Sequence, residues 1–425
     1  MKSKQKLTLA LVAMLALSLV LFTGCARQQI TNIFDYSDEN LGLVGNLIRW
    51  MHGWIGNYGW TVVVFTVFLK LFMLPLDFWQ RYSSRQTSLK TQKIQPLIED
   101  IDKRFGKDTQ RAQQEKNKLY QKYQMGGLTM CLPMIITMVV FFYMFGGLTN
   151  YSTYSSVNDF KALSQQYYDS FHQQFLADDA LGAQYQEIYD QKYQSLLDAE
   201  QATTAEGQQI NTFKVEINAK ISAVEEMYKL DANKAEAYKQ VALDAVANYY
   251  QNHHESWLWL QNIWQPDTWA PIMPTYEEFT AKVTLDNFGS NGRNTYNAIR
   301  ETVLSTSTRS QNGSWNGLMI LPLLSVGLSF LSMFISQKLE NKKRQGDTSN
   351  TQQQTQNKMM LVTMPLMMAV FGFMYTGAFA IYMVANYAIS ILSTLALRAP
   401  VEKLAENSLR KMELKDGSGK ASYMR

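Results

Sequence analysis

GWTVVVFTVFLKLFMLPLD, residues 59–77, decides how the rest of the chain must be read. About twenty residues of this composition suffice to cross a bilayer as a helix, and one cation, Lys70, lies inside the run. An ammonium at bilayer depth costs roughly 2.5–3.5 kcal/mol on insertion scales. Two explanations are open at this point. The lysine stem reaches back toward the helix end near Asp77, or Lys70 faces a water-filled cavity whose chemistry uses the charge.

Working outward, the chain alternates apolar and polar blocks. Residues 1–24 have a basic start, an apolar run from Leu7 to Phe22 and small residues before Cys25, the pattern of a secretory signal. The sequence LFTGC resembles a lipoprotein cleavage site, which would leave Cys25 as a diacylated N-terminus on the outer face; an uncleaved first helix is the alternative. Residues 25–58 place Leu41, Val44, Leu47, Ile48 and Met51 at helical spacing beside Trp50 and Trp54, suiting an interfacial helix. Residues 78–127 are polar, with basic side chains outnumbering acidic ones roughly two to one, and divide into two helices around Gly106. This hairpin has few apolar positions to bury.

Apolar segments follow at 128–148, 315–336, 359–376 and 377–397. Between the first two lies a hydrophilic region, 149–314, with about twice as many acids as bases. Its first part reads as helical, with a connection near Ala202–Gly207, and SWLWLQNIWQPDTWAPIMP, 256–274, reads as chain lying along an interface. Residues 337–358 form a basic, Gln-rich loop, and 398–425 a basic tail. Five spans with an outside start put every basic segment in the cytoplasm and the acidic region outside. The expected fold class is therefore an all-α polytopic membrane protein with a cytoplasmic helical hairpin and a large, mainly helical extracytoplasmic insertion.

Composition excludes little by itself: 40 basic and 36 acidic residues nearly balance, and two cysteines give no disulfide framework. No phosphate-cradling glycine pattern and no Ser/His/Asp set appears, and the adjacent His253, His254 and Glu255 diverge on a helix, so neither an enzyme nor a metal or other cofactor is expected. With Thr66 one turn before Lys70 and Gln80 and Arg81 beyond the proline, this helix could line a wet groove that attracts carboxylates.

The ordered blocks GWTVVVFTVFLKLFMLPLDFWQ, GGLTMCLPMIITMVVFFYMF, WLWLQNIWQPD and TMPLMMAVFGFMYTGAFAIYMVANY resemble the YidC/Oxa/Alb membrane insertases, in the five-span lipoprotein form of Gram-positive bacteria. The resemblance implies insertion of single- and double-spanning membrane proteins, without nucleotide hydrolysis, through a hydrophilic groove closed to the outside. The family's groove cation corresponds to Lys70, with Thr66 and Gln80 beside it. Its substrate-recruiting hairpin corresponds to residues 82–124, with Arg85, Lys90, Lys93, Lys103 and Arg104. Greasy guiding faces correspond to Leu128–Phe145 and Met359–Tyr375. Implied partners are nascent membrane proteins and the lipid bilayer, then the Sec translocon, the ribosome and the signal recognition particle, with no DNA. The sequence departs from the family in carrying lysine for arginine, which loses the planar donor fork, and in the long insertion before and after SWLWL. A different class remains as the alternative: an envelope assembly scaffold acting through the outer region.

Overall fold

The computed structural model of the protein describes residues 33–34, 41–105, 108–122, 127–204, 210–281, 283, 285, 288, 291–307, 315–341, 370 and 372–422. These residues are all-α: no strand forms among them beyond the isolated bridges of Trp257 with Leu260 and Pro271 with Trp315. The helices are α1 (Gly42–Ile55), α2 (Tyr58–Phe105), α3 (Thr109–Lys122), α4 (Gly127–Leu176), α5 (Gly182–Thr203), α6 (Thr212–Leu230), α7 (Ala232–His253), α8 (Tyr276–Thr280), α9 (Gly292–Thr306), α10 (Ile320–Asn341) and α11 (Gly377–Ser422). They divide into two compact units, one of Met1–Val62, Phe145–Leu321 and Gly372–Ala380, the other of Val63–Met144, Pro322–Phe371 and Ile381–Arg425.

The apolar run 59–77 and the polar segment after it form one helix, α2, which continues through Asp77 with Pro75 and Pro96 inside it. Each proline removes one N–H from the ladder, a loss helices in membranes tolerate when neighbouring groups satisfy the freed carbonyl. Phe65, Thr66 and Leu69 are buried, whereas Val64, Val67, Phe68, Leu71 and Phe72 are exposed. A face this apolar would be costly in water and is at ease against acyl chains. Tyr58–Lys90 and Gly377–Arg410 are both long and apolar enough to cross a membrane, and Ile320–Ser336 is a shorter apolar helix. The expected second span falls within α4. Most of the expected fourth span, residues 342–358 of the expected loop, the 1–24 signal and Cys25 lie outside the described residues, and α10 continues into the start of that loop as far as Asn341.

The polar part of α2 is less solvated than its composition suggests. Ile94 and Ile98 are buried, and so are Lys90 and Gln95 beside them and Ala112 on α3. Lys116 of α3 pairs with Asp102 of α2 at 2.5 Å, tying the second helix back on the first.

In the other unit, aromatic rings from α4, α8 and α9 form one core: Phe160 packs on Phe279 and Tyr296, and Phe171 and Phe175 stack toward Tyr185 of α5. Carboxylates set its helix boundaries. Asp231 accepts from the Lys234 N–H at the start of α7, and Asp178 accepts from the Ala180 and Leu181 N–H groups before α5 while pairing with Lys234. These two breaks, at 177–181 and at Asp231, are additional to the expected one near Ala202.

The segment 256–274 is an irregular, tightly bonded platform. Buried Asp267 accepts from the N–H groups of Leu318, Met319 and Leu321 at 2.7, 3.1 and 2.7 Å and from Trp259 Nε1 at 3.1 Å, so one carboxylate caps the start of α10. Asn316 donates to the carbonyls of Gln265 and Pro266 and accepts from the Asn262 N–H. A Cβ on Gly317 would lie 1.9 Å from Asp267 Oδ1, so only glycine permits this approach. The platform also receives the start of α11, whose Gly377 N–H donates to Gln265 O at 2.8 Å.

Candidate functional site

Within the second unit, helical spacing collects polar side chains on one stripe of α2. Thr66, Lys70, Asp77, Arg81 and Arg85 succeed one another at intervals of four, seven, four and four residues, which keeps them on a single face. The facing stripe of α11 carries Ser390, Ser393, Thr394, Glu402 and Ser408. Lys70 Nζ donates to Ser390 Oγ at 2.9 Å, Arg81 Nη2 reaches Ser393 Oγ at 3.4 Å, Arg85 pairs with Glu402 at 2.9 Å, and Gln86 donates to Ser408 at 2.7 Å. Residue numbers rise together along both helices, so α2 and α11 run parallel where they meet.

Helix α10 has the same polarity. Ser325 and Ser329 are buried while Leu323, Leu324, Leu331 and Phe334 are exposed, and Ser336, two turns beyond Ser329, lines a cavity with α2 and α11. That cavity holds about 310 Å³ and is walled by Asp77, Gln80, Arg81, Ser84, Arg85, Ser336, Thr394, Arg398 and Glu402, together with Leu397 and Val401. Hydroxyls and charges turned inward with leucines turned outward invert the ordinary soluble pattern.

The sequence-selected residues separate under this geometry. Thr66 is fully buried on the stripe, Lys70 is half-buried and bonded to Ser390, and Gln80 stands on the cavity wall. Of the five hairpin cations, Lys93, Lys103 and Arg104 are exposed, the last paired with Asp100 at 2.9 Å. Arg85 and Lys90 are not displayed in this way: Arg85 is bound to Glu402 in the cavity, and Lys90 is buried among the residues near Ile94. The α11 serines, Glu402 and Arg398 were absent from the sequence-based set. The four-residue spacing of Ser390, Thr394, Arg398 and Glu402 was a usable signal, but nothing local identified α2 as their partner. Among the described residues no cluster of three or more His, Cys, Asp and Glu side chains stands ready for a metal ion. His253 and His254 instead bond the carbonyls of Tyr249 and Tyr250, and Glu255 bonds His52.

The family model described as 60Kd inner membrane protein matches residues 50–183 and 240–404. Among curated proteins, Membrane protein insertase YidC of Caldanaerobacter subterraneus subsp. tengcongensis is 34% identical over 116 residues, covering 27% of this chain and 54% of that protein. The protein of the same description from Oleidesulfovibrio alaskensis is 32% identical over 103 residues, 24% of this chain and 18% of that one. From Paracoccus denitrificans the figures are 34% over 96 residues, 23% and 14%. The matched stretch thus spans about half the length of the first relative and less than a fifth of the other two.

Proposed function

We propose, starting from the fact that this chain belongs to the 60Kd inner membrane protein family, that it is a membrane protein insertase of a bacterial cell membrane and not an enzyme. The observation that carries this reading is the inward polar stripe shared by α2 and α11, with Lys70 on Ser390, inside helices whose outer faces are apolar. A hydrophilic segment of a nascent protein entering such a groove exchanges water for hydroxyls and charges instead of for acyl chains, which lowers the desolvation cost of crossing. Lys70 attracts the segment's carboxylates: at roughly 4 Å and an effective dielectric of about 20 the pair is worth about 4 kcal/mol before desolvation. An ammonium has three N–H donors and Ser390 takes one, which leaves donors for a passing carboxylate.

In the proposed topology both α2 and α11 enter from the outer side, and their parallel course supports this. Five spans, an outer N-terminus anchored by lipid at Cys25 and an outer region 149–314 complete it. The exposed cations Lys93, Lys103 and Arg104 are the ones suited to recruit a nascent chain, with or without the Sec translocon, ribosome and signal recognition particle.

The test is replacement of Lys70 in cells depleted of their own insertase. Lys70→Arg should preserve insertion, and Lys70→Glu should abolish it for substrates with acidic outer tails. Equal insertion of those substrates by Lys70→Glu and by the parent would remove the electrostatic role.

A further inference from the structure

Two guanidinium donors of arginines that line the cavity have no acceptor among the described residues. Arg81 Nε and Arg85 Nη1 are both buried and both without a hydrogen bond, although Arg81 Nη2 reaches Ser393 and Arg85 Nη2 is bound to Glu402. An unpartnered buried donor on a charged group is costly, and native structures supply such groups with a ligand, water or ion. The same wall adds Arg398, so three guanidinium groups stand against the carboxylates of Asp77 and Glu402. Ser84 and Gln80 add neutral donors. Planar guanidinium forks match the oxygens of a phosphate, and the net charge favours an anion.

Position narrows the class of anion. The outward apolar face of α2 runs through Phe72 and Leu74 and ends at the exposed Trp79, an aromatic at the place where a span meets the headgroups. Arg81 and Arg85 follow within two turns. Lys70 is eleven residues earlier than Arg81, about 16 Å along the helix. The cavity of about 310 Å³ has room for a phosphodiester with a small polar headgroup.

We propose that this cavity is a binding site for the phosphate of an anionic membrane lipid, held by the guanidinium groups of Arg81, Arg85 and Arg398 that line it. The inference rests on reading α2 as a membrane span but not on insertase activity. The bound headgroup adds acceptors for the cavity's arginines and leaves Lys70 to the nascent chain.

The test uses the full-length protein released from bilayers containing phosphatidylglycerol and phosphatidylcholine in equal amounts, with retained lipids counted by native mass spectrometry. One phosphatidylglycerol should be retained in preference to phosphatidylcholine. The triple variant Arg81→Gln, Arg85→Gln, Glu402→Gln, which removes both forks without stranding the Glu402 carboxylate, should retain it about tenfold less or weaker still. Lys70→Gln should retain it as the parent does. Helical circular dichroism matching the parent confirms that the triple variant is folded, and Arg81→Lys, which keeps the charge but not the fork, serves as a folded second variant with reduced retention. Equal retention of the two lipids, or unchanged retention in both the triple variant and Arg81→Lys, overturns the proposal. So does displacement of the lipid by inorganic phosphate or by an acidic-tailed peptide at equal concentration, since the site would then belong to free phosphate or to peptide carboxylates.

Discussion

A single hydroxyl is a modest partner for an ammonium at bilayer depth. The hydrogen bond from Lys70 to Ser390 is worth roughly 1.5–3 kcal/mol, set against an insertion cost of roughly 2.5–3.5 kcal/mol, so the charge is held with little in reserve. Ser390→Ala should therefore lower insertion of acidic-tailed substrates and lower the yield of folded protein, both partially, while Ser390→Thr should retain both; quantitative insertion and expression assays separate the two readouts. A second residue-scale expectation concerns Asp159, which accepts from Trp264 Nε1 at 2.7 Å. Burial, with the nearby Glu255 carboxylate, pushes its carboxyl up to about 7, against the opposing pull of the Trp264 N–H and His52. In the unfolded chain the same group titrates near 4, so between about 4 and 7 the folded state holds the extra proton. Stability contributed by Asp159 is therefore full below about pH 4, falls as pH rises to about 7 and is flat above. The side chain retains some solvent exposure, and the change is on the order of 2–3 kcal/mol. Asp159→Asn should flatten this part of the pH profile in thermal unfolding and be more stable than the parent at pH 8; an unchanged slope would mean that another group carries it.

At the scale of elements, the platform 256–274 positions helix starts. Asp267 caps α10 with three backbone N–H groups, and Gly317 makes the approach possible. Asp267→Asn keeps an acceptor but loses the charge, and should cost about 1–2 kcal/mol; Gly317→Ala forces the loop off the carboxylate and should cost at least as much. Thermal unfolding of the detergent-solubilised protein measures both. A charge-neutral variant as stable as the parent would show that the cap is dispensable. Legibility in the sequence varies with distance along the chain. Local patterns suffice for the all-α class and for the unusual position of Lys70, because apolar run length and an isolated charge are properties of neighbouring residues. Asp267 with Leu318, Arg85 with Glu402 and Lys70 with Ser390 are pairings across 51, 317 and 320 positions, where no periodicity reaches. The burial of Lys90 is hidden for the same reason: the composition around it is that of a solvated helix, and the packing that buries it is not encoded in the local pattern.

At the scale of the whole molecule, the region 149–314 has one core to which distant stretches of sequence contribute. Phe160 and Phe171, from before residue 252, share that core with Phe279, Phe288 and Tyr296, from after it. Deleting 150–252 alone strands those three rings, each worth roughly 1.5–3 kcal/mol of burial, and should yield aggregated protein. Deleting 160–252 together with 276–306, with the platform between them left intact, should give a soluble, folded remainder by size-exclusion chromatography. If the shorter deletion is monodisperse and the paired one is not, the two stretches do not form one core. The paired deletion also separates an insertase from an envelope scaffold, since only the former should keep its activity.

Insertion by the purified protein is the most direct measurement: a short membrane protein with an acidic outer tail, synthesised in the presence of vesicles that hold only this chain, and scored by protease protection of the tail. Protection in these vesicles, its absence in empty vesicles and its loss with Lys70→Glu are the predicted results. Equal protection in empty vesicles, or none with the intact protein present, would contradict an insertase acting through the groove on α2 and α11.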